Sequence, residues 1–312
     1  MATKSRKRSK RKSQKSQKVS NKKPLVAYLL ESGSIQSIRR NKLIIDKLRE
    51  YHWTQHHELE YQRNKIKDQI TEVFLQQSSS NFNFNGWQRL VRFKYSYHPL
   101  SARGSIENVG GRFNIGNIDP QYFHPFPGLY IASDKDTALQ ETLGPTPEDP
   151  KIKLNQMEIA LTNPKSISII SVSGFLEKMF DLRDSSRLNE FVDLISIFEL
   201  STHLKKLAQT HNLKRPRVVK TVDQLYTSLM ESNWREFPMQ YDIPANPQIF
   251  GQLIHKAGIQ GICYRSIWTG KDCLVIYPRN FDATASYIKI DDELPDNSIP
   301  SKIDSTNWKT AE

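Results

Sequence analysis

The chain has 312 residues, 37% hydrophobic and 25% charged, enough to bury one large core or two ordinary ones. No apolar run approaches the roughly 18 residues that a membrane helix needs. Its two cysteines, Cys263 and Cys273, supply neither a disulfide framework nor a zinc spacing. The formal charge of +12 is local: residues 1–23 hold eleven Lys and Arg and no acid, which leaves +1 for residues 24–312.

Residues 1–23 combine Lys, Arg, Ser and Gln with almost nothing to bury, the composition of a disordered tail. Such a tail makes weak, salt-dependent contact with phosphate polymers, nucleic acid included; the plainer reading is a solubilising tail with no partner. No apolar segment follows the basic residues, so they do not read as a secretory signal. A reducing cytoplasm is the expected setting.

Residues 38–76 carry apolar positions at three- and four-residue steps, among them Leu43, Leu48, Tyr51, Leu59, Ile66, Ile70 and Phe74. No Gly or Pro occurs from Arg39 to Asn85. The spacing predicts one or two amphipathic helices within an N-terminal helical region, 24–80. QQSSSNFNFNG, 76–86, reads as a linker or turn. WQRLVRF alternates like a strand, PLSARGSIENVGGRFNIG is loop-rich, and GLYIA is a short apolar strand. SDKDTALQETL follows as a helix, with Ser133 and Asp136 as a weak capping pair.

KLNQMEIALTN and SISIISVS are further strand candidates. FLEKMFDL and RLNEFVDLISIFELSTHLKKLAQTH have helical spacing. Pro238, Pro244 and Pro247 punctuate a loop. NPQIFGQLIHKAG reads as a helix with a Gly stop, and GICYRSIW and CLVIYP as strands joined by TGKD. Strands and helices mix without the regular alternation of a doubly wound fold, so the expected class is α+β with a mixed sheet. There is no internal repeat.

GGRFNIG, Gly110 to Gly116, concentrates the chemistry. Paired glycines permit positive φ and close backbone approach, and the adjacent Arg112 can fork onto pyrophosphate or carboxylate oxygens. The stretch matches neither the dinucleotide nor the P-loop pattern, and the plain alternative is a turn with a surface arginine. Arg89 shares a strand face with Val91 and Phe93 and wants an anion there, unless its stem packs while its head reaches water. Tyr130 can stack on a planar ligand or serve as an ordinary sheet aromatic. Glu141 lies opposite Leu139 and Leu143 on a helical wheel, so periodicity alone makes it a solvated surface residue. Ser266 has no G-x-S-x-G around it, and His56–His57 lack the H-E-x-x-H spacing. No metal site is expected.

In order, RLVRFKY, PLS, GGRFN, LYIASDKDTALQE, FDLRD and AGIQGICYRSIWTGKDCLVIY resemble the RES domain, a family named for an Arg, a Glu and a Ser. The resemblance covers 86–282, with 283–312 left as a C-terminal tail. It implies a fold related to ADP-ribosyltransferases, with the mixed sheet and flanking helices already expected. It also implies NAD chemistry, in many members as the toxin of a toxin–antitoxin pair, so NAD and an antitoxin protein are the implied partners.

Carried over, Arg89 (or Arg92, should the alignment slip) is the first arginine and Arg112 the loop arginine. Tyr130 is the stacking aromatic, Glu141 the acid and Ser266 the serine. Arg89, Gly111, Arg112 and Tyr130 would contact NAD as substrate, and Ser266 would bond either the nicotinamide amide or Glu141. The implied activity is cleavage of the nicotinamide–ribose bond by a glycohydrolase or phosphorylase. ADP-ribosyl transfer to a macromolecule, or a non-catalytic nucleic-acid-binding module, are the alternatives. The segment NIGNIDPQYFHPFPG is longer than in compact members, and residues 1–80 have no counterpart in the minimal domain.

Overall fold

The computed structural model describes residues 35–144, 167–296 and 298–312. The basic tail 1–23 and the strand candidate KLNQMEIALTN lie outside them. Contacts divide the chain into Met1–Ile44 and Ile45–Glu312; the packing described below lies within the second unit.

The Gly- and Pro-free run forms α1 (Ile35–Lys65) and α2 (Lys67–Gln77), which part at Ile66. Ile70 and Phe74, one helical turn apart, are the buried anchors of α2. The expected linker 76–86 is instead the start of a long strand, β1 (Ser79–Arg92). Its pairing partner overrides the Ser- and Asn-rich composition. Phe84 lies opposite Gly174, where a Cβ would stand 2.5 Å from the Phe84 ring. Gly86 (φ +67°) takes up a register shift between Phe84 and Trp87, the usual use of glycine at a bulge.

β2 (Leu129–Ala132) and α3 (Lys135–Leu143) form where expected. The cap of α3 is Asp134, which accepts from the Thr137 amide, and not Ser133. β3 (Ile167–Asp181) runs from the second residue of SISIISVS to the last but one of FLEKMFDL, so the helix expected over the latter is absent. β3 pairs with β1 along most of its length, with β6 on the opposite edge at Val172–Phe175, and with β4 at its C-terminal end. With both faces covered, its apolar residues need not alternate, and Leu176, Met179 and Phe180 reach a helical spacing by coincidence.

The 187–211 stretch makes α4 (Asn189–Ser196) and α5 (Thr202–Thr210), the second capped by Ser201. Then follow α6 (Val222–Met230), α7 (Glu236–Gln240) and α8 (Asn246–Lys256). Pro238 falls inside α7 and Pro247 in the first turn of α8, so only Pro244 remains in the expected loop. β4 (Gly261–Arg265) and β5 (Asp272–Ile276) flank the TGKD turn.

The segment 283–312, read from sequence as a tail, carries β6 (Tyr287–Ile290) and β7 (Lys302–Ile303) of the same sheet. These strands are short and set among acids and prolines, which hides them from pattern reading; pairing with β3 makes them.

Among the described residues seven strands run β1-β2-β5-β4-β3-β6-β7, and β1 also pairs with β3, so five strands close on themselves. All pairings are antiparallel except β3–β4. The fold is the mixed α+β type expected, with helices flanking the sheet and a helical region ahead of it. Alternation along β5 serves two cores: Cys273 and Val275 face the helical side, Leu274 and Ile276 the other.

Candidate functional site

The GGRFNIG loop is locked by side chains. Gly110 has φ +95°, and a Cβ there would meet backbone atoms at 2.5 Å, so only glycine fits. Asn114 is fully buried with its amide fully used: Oδ1 accepts from the Gly111 amide and the Tyr130 hydroxyl, each at 2.9 Å, and Nδ2 donates to the carbonyls of Ser105 and Phe126, each at 3.0 Å. Gln248 of α8 donates to the carbonyls of Val109, Gly111 and Asn114. The Tyr130 hydroxyl accepts from the Phe113 amide at 2.9 Å, and Tyr277 donates to the Phe113 carbonyl at 2.8 Å. The amides of Gly111 and Phe113 are therefore occupied by protein groups. The loop is a frame that presents Arg112, not a nest of free N–H donors.

Arg112 is buried, and its Nη1 donates to the carbonyls of Leu229 (3.1 Å) and Glu231 (2.8 Å) at the end of α6. Its guanidinium lies over the Trp234 ring. Its side chain lines a cavity of about 310 Å³ together with Arg89, Gly111, Tyr130 and Glu141. Arg235 also lines this cavity, stacked on Trp234 at 4.4 Å. Burial and the neighbouring Arg112 cation lower the Arg235 pKa, with Tyr130 and Glu141 opposing. Two cations thus share one wall, and among the described residues neither forms an ion pair.

Glu141 projects from α3 into the same cavity, partly buried. The Ser266 hydroxyl donates to its Oε1 at 2.6 Å and accepts from the amides of Trp268 (3.2 Å) and Thr269 (3.3 Å). Those two donors orient the hydroxyl proton toward the carboxylate. Ser266 sits just past β4, held by its amide on the Lys271 carbonyl at 2.7 Å. Thr137 of α3 meets Thr269 of the same turn at 3.0 Å, so helix and turn are joined twice. The solvated position that the helical wheel gives Glu141 is therefore wrong: the wheel sees α3 alone, not the turn packed on it.

Arg89 is engaged differently. Its three nitrogens donate to the carbonyls of Pro99 (2.7 Å), Tyr130 (3.1 Å) and Ser101 (2.6 Å). Burial lowers its pKa to about 10. Backbone carbonyls thus supply most of what an anion would, and two N–H groups are left for the cavity. Arg92, at the exposed end of β1, lines the same cavity. Burial raises the Tyr130 pKa well above the usual phenol range, so it remains neutral. The buried Cys273 thiol is pushed up likewise, which rules it out as a nucleophile at neutral pH.

Of the long segment after GGRFN, Gly128 lines the cavity while the aromatic middle packs elsewhere. Phe123 and Phe126 are buried, and Trp53 of α1 stacks on Phe123 at 5.7 Å. Pattern reading missed Asn114, Gln248, Trp234 and Arg235. Asn114 stands inside the quoted GGRFN, whereas nothing local marks the other three. Among the described residues no group of three or more His, Cys, Asp or Glu could hold a metal, and no helix is long and apolar enough to cross a membrane.

Fold and site together define an α+β domain whose closed sheet carries a cavity with arginines on one wall and a serine-held carboxylate on another. The RES domain family model matches residues 87–297, and the chain belongs to that family, whose members are in general NAD-related proteins of toxin–antitoxin systems. No curated protein matches the chain. It is similar to a chain in the crystal structure of the M. tuberculosis MbcT–MbcA toxin–antitoxin complex, with 11% identity and a TM-score of 0.40 over 75% of this chain and 91% of that one.

Proposed function

We propose that this protein consumes NAD by cleaving its nicotinamide–ribose bond, as a glycohydrolase or phosphorylase. The observation that carries the reading is the shared cavity: Arg112 and Arg235 on one side, without an ion pair among the described residues, and Glu141 held by Ser266 on the other. Arginines in that setting suit a pyrophosphate. Tyr130, Trp234 and Trp268 add aromatic surface for planar rings.

Nicotinamide in NAD carries a positive charge and departs neutral, taking the electron pair of the C–N bond, so no general acid is needed. Positive charge then builds on the ribose, as in glycoside cleavage. The Glu141 carboxylate can bond the ribose hydroxyls and stabilise that charge. Water or inorganic phosphate forms the new bond to the ribose carbon, and water's proton passes to solvent.

Product analysis of NAD incubated with the protein, with and without phosphate, tests this. Free nicotinamide should appear, with ADP-ribose in water or its phosphorylated form with phosphate. Label left on a polymer would mean ADP-ribosyl transfer instead. Arg112→Ala and Glu141→Ala should each lower kcat/KM by about 100-fold or more while the protein stays folded. Unchanged turnover in both would remove the site assignment. Depletion of NAD would make the protein a toxin that requires an antitoxin partner.

A further inference from the structure

Two cavities of about 150 and 140 Å³ adjoin between α1 and the α6–α8 helices; Trp234 lines both the larger one and the Arg112 cavity. Arg63 of α1 lines both, with Gln55 beside it and Ser228 and Asn246 across from it. Among the described residues its guanidinium has no hydrogen-bond acceptor and no carboxylate at ion-pairing distance. Burial lowers its pKa to about 10, opposed by Glu60 on the same helix. His56, on the larger cavity, is buried with Nε2 unbonded, and Glu60 stands 3.8 Å from it. Among the described residues the smaller cavity is lined by Arg63 and Arg217 and by no acid, whereas Glu231 lines the larger one; the remaining wall of the smaller cavity is mostly apolar, including Phe191, Val219 and Leu253.

Arg63 is half-buried, and two arginines facing an apolar wall, with no acid against them among the described residues, define a particular complement. We propose that these cavities form a second binding site, for a small organic anion whose carboxylate or phosphate meets Arg63 and whose apolar body fills the space beside Phe191 and Leu253. Gln55, Leu59 and Arg63 lie ahead of the family-matched residues 87–297, so the N-terminal helical region supplies one wall of the site and the matched residues supply the rest. It also touches the other site: Leu229 lines the smaller cavity while its carbonyl holds Arg112 at 3.1 Å. An occupant that shifts the end of α6 therefore shifts Arg112.

Benzoate, phenyl phosphate and neutral benzamide are titrated into the full chain by calorimetry, and methyl shifts are followed by NMR. At least one anion should bind saturably, and which one does identifies the headgroup. Benzamide should not bind. Methyl shifts should concentrate on Leu59, Val219, Leu225 and Leu253, and Arg63→Gln should weaken binding about tenfold or more. The proposal fails if neither anion binds, if benzamide binds equally, or if shifts fall on Ile131 and Ala132 of the Arg112 cavity. It also fails if a folded Arg63→Gln protein binds undiminished; if that variant does not fold, the wild-type shifts decide. The effect on Arg112 rests on the NAD reading and is read separately. Saturating anion should alter NAD turnover in the wild type only. A wild type that binds the anion but leaves NAD intact overturns the NAD reading and leaves this site standing.

Discussion

Ser266 and Arg89 show how similar carry-overs from one family pattern acquire different physical roles. Ser266 meets Glu141 at 2.6 Å and is itself fixed by two backbone amides. Of the two partners open to it, the nicotinamide amide and Glu141, the geometry supports the acid. On the proposed NAD reading Ser266 is a positioning residue. A hydrogen bond to a charged group contributes about 1.5–3 kcal/mol, roughly a tenfold to hundredfold effect if spent wholly in the transition state. Ser266→Ala should therefore lower the kcat for NAD by about that factor, with little change in KM or Tm. A loss confined to KM, or a large fall in Tm with kcat intact, would contradict it. Arg89, with its nitrogens on three carbonyls, ties β1 to the 99–101 loop and to β2. Sequence spacing could place it on a strand face but could not show those carbonyls, which come from two distant segments.

At the scale of elements, what was legible is what is local. The α3 helix, β2, β4, β5 and α8 follow from spacing, turn residues and a glycine stop. What was not legible depends on partners far along the chain. The 175–182 stretch reads as a helix until β1, β4 and β6 pair with its edges. Asn-rich 80–86 reads as a turn until Phe84 finds the space above Gly174. For the site, the order of motifs pointed to Arg112, Tyr130, Glu141 and Ser266, whereas Arg235 and Gln248 had no pattern to carry them. The GGRFNIG loop itself was ambiguous because its rigidity comes from Asn114, Gln248 and Tyr130 rather than from its glycines alone. That can be measured on three glycines. At Gly110 an alanine meets both positive φ and backbone at 2.5 Å; at Gly111 it meets the Tyr130 oxygen without positive φ; at Gly144 it meets φ +87° with none of the described residues within 4 Å. Left-handed strain costs about 1–2 kcal/mol and overpacking about 1–3 kcal/mol. Denaturant melts should rank the losses Gly110→Ala first, with both effects, then Gly111→Ala and Gly144→Ala with one each. Only the first two should impair NAD turnover. Equal and small losses at all three would mean that the loop is not locked.

For the whole molecule the question is where the domain stops. The family-matched residues end at 297, and the motifs quoted from the sequence stop short of 282, yet the sheet continues to β7. Ile288, Ile290, Ile299 and Ile303 are all buried, and each such side chain contributes about 1.5–3 kcal/mol. Together they amount to about 6–12 kcal/mol, comparable to the entire stability of an ordinary domain, about 5–15 kcal/mol. The last residues also brace the site: the Ala311 carbonyl accepts from the Ala102 amide at 2.7 Å, beside Ser101, whose own carbonyl holds Arg89. Ser101 and Ala102 both line the Arg112 cavity. A chain ending at Asp282 should therefore lose its cooperative thermal transition and bind a hydrophobic dye. A chain shortened by only the last two residues, Ala311 and Glu312, should still melt cooperatively, at a lower temperature and with impaired NAD turnover, because the brace on the 101–102 loop is gone while the sheet remains. Cooperative melting of the 282-residue chain at the full-length temperature would show that β6 and β7 are appended to a domain complete without them. Full turnover in the milder variant would show that the last residues do not brace the site.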